Sequence, residues 1–265
     1  MTAAEINDEE WARYERQIGP GMLTRQGQQR LKDATVLVTR VGGIGGPAAQ
    51  ALVMAGVGRV IVAHGGTLVS PDLNRQVLGR EATIGQPRMP EFARQLRALN
   101  TTVTVEAIDH EPSAAEALAL AARADLIVSC PPSFAERMLL NRAAVESGVP
   151  LIDAAQWGMT GTLIAMAPGR TACLRCIYPQ DPQFEELFPV LGAISAAMGS
   201  LAALEAIKIL SETGCPLWGR MWVIDGFGGH LSDVELARDP QCRCCGAPAG
   251  PGPHADRPRR GVHSP

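Results

Sequence analysis

Two pairs of cysteines have the spacing of a metal-binding knuckle. The first pair is Cys173 and Cys176 in CLRC, and the second is Cys242 and Cys245 in CRCC. Four thiolates in two C-x-x-C pairs suit a tetrahedral zinc ion. The spacing therefore predicts a structural zinc site that ties the C-terminal segment to the body of the protein. Unligated, reduced cysteines are the alternative, and Cys244 is a candidate to replace one ligand.

A glycine-rich stretch is the second feature that predicts chemistry. In VLVTRVGGIGG, a short apolar run leads through Arg40 into Gly42, Gly43 and Gly45. A strand that turns through glycines into a helix presents backbone N–H groups and the helix dipole to a phosphate. Glycine is required where a side chain would block that approach. Tight packing of strand against helix explains the same pattern, so both interpretations stay open.

Alternating strands and helices surround this loop. Apolar, β-branched runs at ATVLVTR, GRVIVAHG and ADLIVSC alternate with helical segments such as PEFARQLRALN. Short buried strands separated by helices are typical of a parallel sheet that is covered on both faces. The sequence therefore predicts an α/β fold with a mainly parallel sheet and helices on both faces.

The pattern changes after Val145. VPLIDAA, GTLIAMAP and MWVIDGF predict a C-terminal mixed-sheet extension, and LGAISAAMGSLAALEAIKILSE predicts one long apolar helix. Such a helix belongs either in the core or at a dimer interface. We expect an N-terminal helical arm over residues 1–32 and a main domain over 33–246 that includes the zinc-binding part. A Pro/Gly-rich tail over 247–265 is expected to be disordered.

Composition limits the classes of function. The 265 residues carry a net charge of -3 and scattered basic residues, so neither nucleic acid nor a membrane is an expected partner. The acidic N-terminus MTAAEINDEEWARYERQ resembles neither a signal peptide nor a transit peptide. An odd number of cysteines without an export signal argues against a disulfide framework. A cytoplasmic location is the expectation.

Taken in order, several stretches resemble the ThiF/MoeB/HesA family, the bacterial relatives of ubiquitin-activating enzymes. They cover roughly residues 8–246 and are RYERQI, GGIGG, AGVGRVIVAHGGTLVSPDLNRQVL, IGQPR, CLRC, GSLAALEAIKIL and DPQCRCCG. The resemblance implies a Rossmann-like domain and a homodimer, or a heterodimer with an intact homologue. It also implies that Mg-ATP adenylates the C-terminal tail of a small ubiquitin-like sulfur carrier or a peptide.

Several residues that the family uses to bind ATP are replaced. The family loop G-x-G-G-x-G has Arg40 at its first glycine, and the other three glycines remain. The two carboxylates of the family's D-x-D, the first of which binds the ATP ribose, are His64 and Gly66 here. The resemblance assigns the cofactor-binding positions to Arg40, Gly42, Gly43, Gly45, His64 and Gln76.

The charged positions also depart from the family pattern. Asp72 replaces an asparagine while Arg75 and Gln76 remain, and Arg88 replaces the lysine that contacts phosphate. Pro132 occupies the position of the aspartate that helps to hold magnesium. Adenylation needs magnesium and several cations to offset the triphosphate charge. The departures therefore predict a degraded ATP and magnesium site that survives as a positive, glycine-lined cleft.

Arg16 in RYERQ matches a family arginine that crosses the dimer interface and contacts the partner's ATP phosphates. An arginine supplied in this way is useful even from a subunit that cannot itself adenylate. A surface ion pair is the alternative role. The resemblance thus assigns the residual catalytic positions to Arg16, Arg75 and Arg88.

The leading hypothesis is a pseudoenzyme, a non-adenylating dimer subunit or scaffold in a carrier-protein or peptide-modification pathway. It would hold zinc, lack ordinary Mg-ATP turnover and dock an extended C-terminal tail. The alternative is an active adenylyltransferase of a carrier or peptide carboxylate with altered metal ligation. A module that binds an anion or a small nucleotide is the third hypothesis.

Overall fold

One mixed sheet forms the centre of the part of the chain that the computed structural model describes, residues 5–182 and 189–246. The predicted tail over 247–265 lies outside these residues. The strands are β1 (Thr35–Thr39), β2 (Arg59–Ala63), β3 (Thr104–Ile108), β4 (Leu126–Ser129), β5 (Leu151–Trp157), β6 (Thr160–Met166), β7 (Arg220–Asp225) and β8 (His230–Glu235).

The order of the strands is β3-β2-β1-β4-β5-β6-β7-β8 within the described residues. The first five are parallel, and β6, β7 and β8 continue the sheet as antiparallel neighbours. The prediction of an α/β fold with a mainly parallel sheet and a C-terminal mixed extension is confirmed. Strand β8 was not predicted, because its residues HLSDVE are exposed and carry no buried apolar run.

Helices cover both faces of the parallel part. They are α1 (Asp8–Tyr14), α2 (Arg25–Asp33), α3 (Gly45–Ala55), α4 (Arg88–Leu99), α5 (Ala114–Ala121), α6 (Phe134–Ser147), α7 (Leu174–Ile177) and α8 (Gly192–Ser211). Residues from α2, α3, α4 and α8 share one buried cluster with one face of the sheet, while residues from α5, α6 and α7 share a second cluster with the other face. Because both faces are covered, the central strands β1 and β4 are almost entirely buried and apolar.

The N-terminal arm packs against the body. Helix α1 begins with a capping box between Asn7 and Glu10, which satisfies backbone N–H groups at its start. The Tyr14 ring is buried beside Gly56, and Asn100 donates a 2.9 Å hydrogen bond to the Tyr14 hydroxyl. Gly56 ends α3 with φ 84°, a conformation that glycine adopts without strain.

Helix α8 lies in the core. By length and composition α8 is also apolar enough to cross a membrane. In this structure it packs against α2, α3, β4, β5 and β6, which favours the core over the dimer interface among the two predicted roles. Its small residues permit contact with neighbouring backbone. A Cβ at Gly199 would lie 2.2 Å from the Ile44 carbonyl oxygen, and one at Gly192 would lie 2.2 Å from that of Asn74.

The packing of α8 predicts that Gly199→Ala lowers the free energy of unfolding, although this substitution usually raises it in a helix. Alanine in a helix interior ordinarily adds about 1 kcal/mol of stability relative to glycine. Here the new methyl group meets the Ile44 carbonyl, so we expect a loss of about 2 kcal/mol in the free energy of unfolding, measured by urea denaturation. The control is Gly46→Ala in α3, where the nearest atom lies at 3.5 Å. A stabilised Gly199→Ala variant contradicts the packing.

Candidate functional site

A cavity of about 490 Å³ lies at the carboxyl ends of the parallel strands. The chain passes from β1 to β2 and β3 on one side, then returns to β4 on the other side of β1. Such a reversal leaves a crevice outside the strand ends, which is where open α/β sheets bind ligands. The cavity wall includes Arg40, Gly42, Gly43, His64, Asp72, Arg75, Gln76, Arg88, Cys130, Pro132, Phe134, Arg137, Gln156, Trp157 and Ser195.

The loop glycines pack closely against their neighbours, and two of them also line the cavity. Gly42 and Gly43 line the cavity, and a Cβ on them would lie 3.1 Å from the His64 ring and 3.0 Å from the Arg75 side chain. Gly45 does not line the cavity, and its Cβ would lie 2.5 Å from the Arg40 carbonyl oxygen. The loop is therefore glycine-rich because of close packing as well as because of the open wall at Gly42 and Gly43.

Arg40 occupies the left-handed region of backbone conformation, with φ 52°. Glycine adopts this region freely and other residues rarely do. The Arg40 guanidinium donates through Nε and Nη2 to the two carboxylate oxygens of Glu136, both at 2.7 Å, and its Nη1 lies 2.7 Å from Glu111 Oε1. The Arg40 charge is therefore balanced by two carboxylates.

Asp72 contacts both arginines on the opposite wall. Its buried carboxylate lies 3.4 Å from Nη2 of both Arg75 and Arg88, and it accepts a 2.8 Å hydrogen bond from the Gln76 amide. Arg88 is further fixed by hydrogen bonds from its guanidinium to the Gln76 Oε1 and to the Thr67 carbonyl. The positive, glycine-lined cleft that the sequence predicts is thus partly paired in the structure, because carboxylates contact three of its arginines.

His64 is a neutral imidazole in this cavity. It is 6% exposed, and its Nε2 accepts a 3.3 Å hydrogen bond from Arg88 Nη1, which leaves the proton on Nδ1. Burial, together with the Arg88 charge, lowers the pKa of His64 to about 4. Nδ1 faces the Val41 backbone without a hydrogen bond of good geometry. At this position the family's ribose-binding carboxylate is thus replaced by an uncharged group.

The position of the magnesium-binding aspartate offers no ligand oxygen on a side chain. Pro132 lines the cavity there, beside Cys130, whose thiol has its pKa raised by burial. Asp153 lies near but is fully buried in a bidentate ion pair with Arg137, and it also accepts a hydrogen bond from Ser129. Within the described wall, Asp72 is the only acidic residue.

The far wall of the cavity is more apolar. The Arg137 guanidinium stacks 4.4 Å from the Phe134 ring, and Phe134 meets Tyr178 edge to face. Ser195 in α8 donates to the Gln156 side chain at the end of β5. These contacts fix side chains from α6, α8 and β5 around the same opening.

Arg16 lies apart from the cavity. It is exposed in a short 3-10 helix, Glu15–Gln17, and it is not part of the cavity wall. The structure therefore does not bring Arg16 together with Arg75 and Arg88 in the cavity wall.

The predicted metal ligands come together on the face of the sheet that α5, α6 and α7 cover. The sulfurs of Cys173, Cys176, Cys242 and Cys245 all lie within 4.8 Å of one another. The Cys173–Cys242, Cys176–Cys245 and Cys173–Cys176 sulfur distances are 3.7, 3.4 and 3.9 Å. A tetrahedral zinc site with bonds of about 2.3 Å has sulfur–sulfur edges of about 3.8 Å. The four thiols therefore fit a tetrahedral metal.

Cys244 stands next to this cluster rather than within it. Its sulfur accepts a 3.2 Å hydrogen bond from the Asn141 amide, and Asn141 Oδ1 accepts from the Leu174 backbone at the start of α7. Asn141 thus joins α6 to both cysteine pairs. This arrangement favours a positioning role for Cys244 over the predicted exchange with a ligand.

Sequence analysis missed Glu111 and Glu136, the two carboxylates that hold Arg40. Each had a detectable signal. Ser133 and Glu136 have the spacing of a capping box at the start of α6, and Glu111 follows β3. Since the carboxyl ends of parallel strands meet at one edge of the sheet, acids after β3 and β4 were candidates to contact a cation after β1.

Comparison with known proteins gives consistent matches. The model of the ThiF family matches residues 14–244. Protein HesA, heterocyst, of Trichormus variabilis is 40% identical over 238 residues, which cover 89% of this chain and 89% of that protein. A sulfur carrier protein adenylyltransferase of Thermus thermophilus is 35% identical and covers 90% of this chain and 92% of its own length. The crystal structure of E. coli MccB shares the fold, with a TM-score of 0.80, 22% identity and coverage of 93% and 75%.

The cysteine cluster predicts bound metal in the purified protein. We expect Cys173→Ser to lose that metal and to lower Tm by about 5 °C or more, because three thiolates hold the knuckles together less firmly. Elemental analysis and thermal unfolding measure the two effects. Cys215→Ser is the control, since Cys215 is exposed and outside the cluster. Equal metal content in wild type and Cys173→Ser would count against the site.

The neutral His64 predicts a pH-dependent stability. Between the ordinary pKa of 6.5 and the folded pKa of about 4, the unfolded chain binds a proton that the folded chain does not. His64 therefore lowers stability as the pH falls through this window. We expect the free energy of unfolding of His64→Gln to decline less than that of wild type between these pH values, measured by urea denaturation.

The control for this measurement is His110→Gln. Glu116 and Asp109 raise the pKa of His110, so His110 adds stability at low pH and its loss makes the decline steeper. If wild type and His64→Gln have the same pH slope, His64 is not held neutral by the fold.

Proposed function

This chain belongs to the ThiF family, and from that premise we propose that it is a non-adenylating member that acts as a dimer subunit or scaffold. Its pathway modifies a carrier protein or a peptide. Adenylyltransferases of sulfur carriers are among its relatives, and MccB structures include complexes with MccA. The proposal concerns what this chain has kept of that machinery and what it has lost.

The pairing of the cavity cations carries the proposal. Arg75 and Arg88 contact Asp72, and Arg40 contacts Glu111 and Glu136. A triphosphate in this cavity would have to compete with carboxylates that are already in place. Electrostatic stabilisation of a transition state requires cations directed at the charge that develops, and removal of one such group costs about 3 kcal/mol.

The change at the magnesium-binding position also supports a non-adenylating role. Pro132 has no side-chain oxygen with which to hold magnesium, and His64 offers an imidazole where magnesium prefers oxygen ligands. Magnesium, if bound in such a site, would neutralise charge on the phosphates. Asp72 is engaged by Arg75, Arg88 and Gln76, so it is poorly suited to replace the missing ligand.

Arg16 supports the role of a subunit. Its side chain is exposed and outside the cavity of its own chain, so it is available to a partner. We propose that it contacts phosphates bound to an intact homologue, or to a second copy of this chain. An arginine supplied from another chain can raise the rate of phosphoryl chemistry greatly.

The antiparallel part of the sheet supports docking of an extended tail. Trp157 ends β5 with 49% of its surface exposed, and Leu191 and Phe227 are also exposed. Gly158, in the turn between β5 and β6, pairs with Val190 as an isolated bridge, and extended backbone beside this turn supports the proposal. The proposed ligand of this surface is the C-terminal tail of a carrier or peptide.

Zinc and a cytoplasmic location belong to the same proposal. Four thiolates without an oxygen or nitrogen ligand are characteristic of structural zinc. Such ligands must stay reduced, which favours a reducing compartment. Zinc would hold the α7 knuckle and the C-terminal segment together, and no step of the chemistry depends on it.

A second candidate function is an active adenylyltransferase with altered metal ligation. The observation that favours it is the cavity itself, which at about 490 Å³ is large enough for a nucleotide and retains Arg75, Gln76 and Arg88 on its wall. The two functions differ in whether magnesium strengthens ATP binding.

Calorimetric titration with ATP, with and without magnesium, tests the proposal. We expect magnesium to change the affinity of wild type by less than about twofold, because Pro132 removes the ligand. Pro132→Asp supplies a carboxylate at that position and should introduce a magnesium dependence of about tenfold. Pro131→Asp is the matched control at the adjoining position. Tighter ATP binding by wild type with magnesium would favour the active enzyme.

The scaffold role is tested in a separate assay, in which the protein is mixed with a cognate intact homologue. We expect wild type to form a complex with it and to raise its ATP–pyrophosphate exchange, and Arg16→Ala to keep the complex but lose most of the rise. Arg94→Ala, an exposed arginine on α4, is the control. No complex and no change in exchange rate would overturn this role.

A further inference from the structure

Arg40 divides the space above the strand ends into two cavities. It lines the large cavity, and it also lines a small one of about 10 Å³ whose wall includes Thr39, Glu111, Pro131 and Glu136. The Arg40 side chain and Pro131 are therefore the partition between the two. The Thr39 hydroxyl in the small cavity is buried and has no hydrogen-bond partner.

The partition is tied to four consecutive strands of the sheet. Arg40 follows β1 and contacts Glu111 after β3 and Glu136 in the first turn of α6, which follows β4. Glu111 Oε1 also accepts a 3.0 Å hydrogen bond from the Gly65 N–H, after β2. One carboxylate–guanidinium–carboxylate chain thus links the loops that follow β1, β2, β3 and β4.

This chain of contacts lies where such folds place the nucleoside half of a nucleotide. In dinucleotide-binding sheets, phosphates contact the glycine loop after β1 and a carboxylate at the end of the neighbouring strand holds the ribose. In this protein, Gly42 and Gly43 keep the phosphate side of the wall open. The ribose side carries neutral His64, and Arg40 projects between the loops of β1 and β3.

Displacing Arg40 is costly. The side chains of Arg40, Glu111 and Glu136 are each about one-third exposed or less, and the three short contacts place one guanidinium between two carboxylates. Breaking such charge-assisted pairs leaves partly buried charges without partners. A nucleoside therefore cannot enter this half of the crevice without a penalty that a smaller ligand avoids.

We propose that Arg40, held by Glu111 and Glu136, is a specificity-determining element that excludes the nucleoside and restricts the large cavity to a ligand without a base and ribose. This proposal rests on the proposed function, because both start from an altered ATP site. It goes further by assigning the exclusion of adenosine to one side chain rather than to the loss of magnesium ligands.

Adenosine is the probe that separates the two proposals, since it carries no phosphate and needs no magnesium. We expect wild type to bind adenosine weakly or not at all in a calorimetric titration at millimolar concentration. Arg40→Gly joins the two cavities and places glycine at φ 52°, so we expect adenosine affinity to rise by about 100-fold.

A second variant tests the same proposal in case Arg40→Gly does not fold. Glu111→Gln combined with Glu136→Gln keeps Arg40 but removes both countercharges, so Arg40 can swing away and adenosine affinity should rise by about tenfold. Glu106→Gln is the control, because Glu106 also belongs to a three-residue ion-pair cluster, between Arg59 and Arg123, and lies away from the cavity. Thermal unfolding verifies that each variant is folded.

The outcomes are distinct. A rise in adenosine affinity for Arg40→Gly and for the double variant Glu111→Gln with Glu136→Gln, with Glu106→Gln unchanged, supports the proposal. Equal adenosine affinity in wild type and Arg40→Gly overturns it. The proposal also fails if both variants are folded and bind no adenosine. Neither result alters the proposed function, which fails separately if magnesium strengthens ATP binding by wild type.

Discussion

The close contact between helix α8 and the loops beneath it is the constraint on which the cavity depends. Gly199 and Gly192 let the helix touch the backbone carbonyls of Ile44 and Asn74, at positions where any Cβ would clash. This contact fixes the position of the glycine loop and of the segment before Arg75 relative to α8. It also brings Ser195 into hydrogen-bonding distance of Gln156, which closes the far side of the opening.

Protein carboxylates pair with the arginines around the cavity. Asp72 contacts Arg75 and Arg88, the two glutamates hold Arg40, and Asp153 of β5 pairs with Arg137. Charges in a poorly solvated crevice are costly without partners, so carboxylates beside these arginines stabilise the folded site.

The cavity and the cysteine cluster are joined through aromatic packing. Arg137 stacks on Phe134 and Tyr178. Tyr178 directly follows α7, the short helix that begins after Cys173 and contains Cys176. A metal that fixes α7 would thereby also fix the Tyr178 ring. The cysteine cluster and the cavity are thus parts of one packed unit.

The sequence determined the fold class, the strand and helix order of the parallel half, and the four cysteines, because these follow from local periodicity and spacing. It also located the altered positions Arg40, His64 and Pro132. Only the tertiary structure decided what those alterations mean. The two glutamates that hold Arg40 lie 71 and 96 positions further along the chain, so no local pattern could show that Arg40 is already paired. Strand β8 was missed for a related reason, since an exposed edge strand gains its structure from its neighbour and not from a buried apolar run.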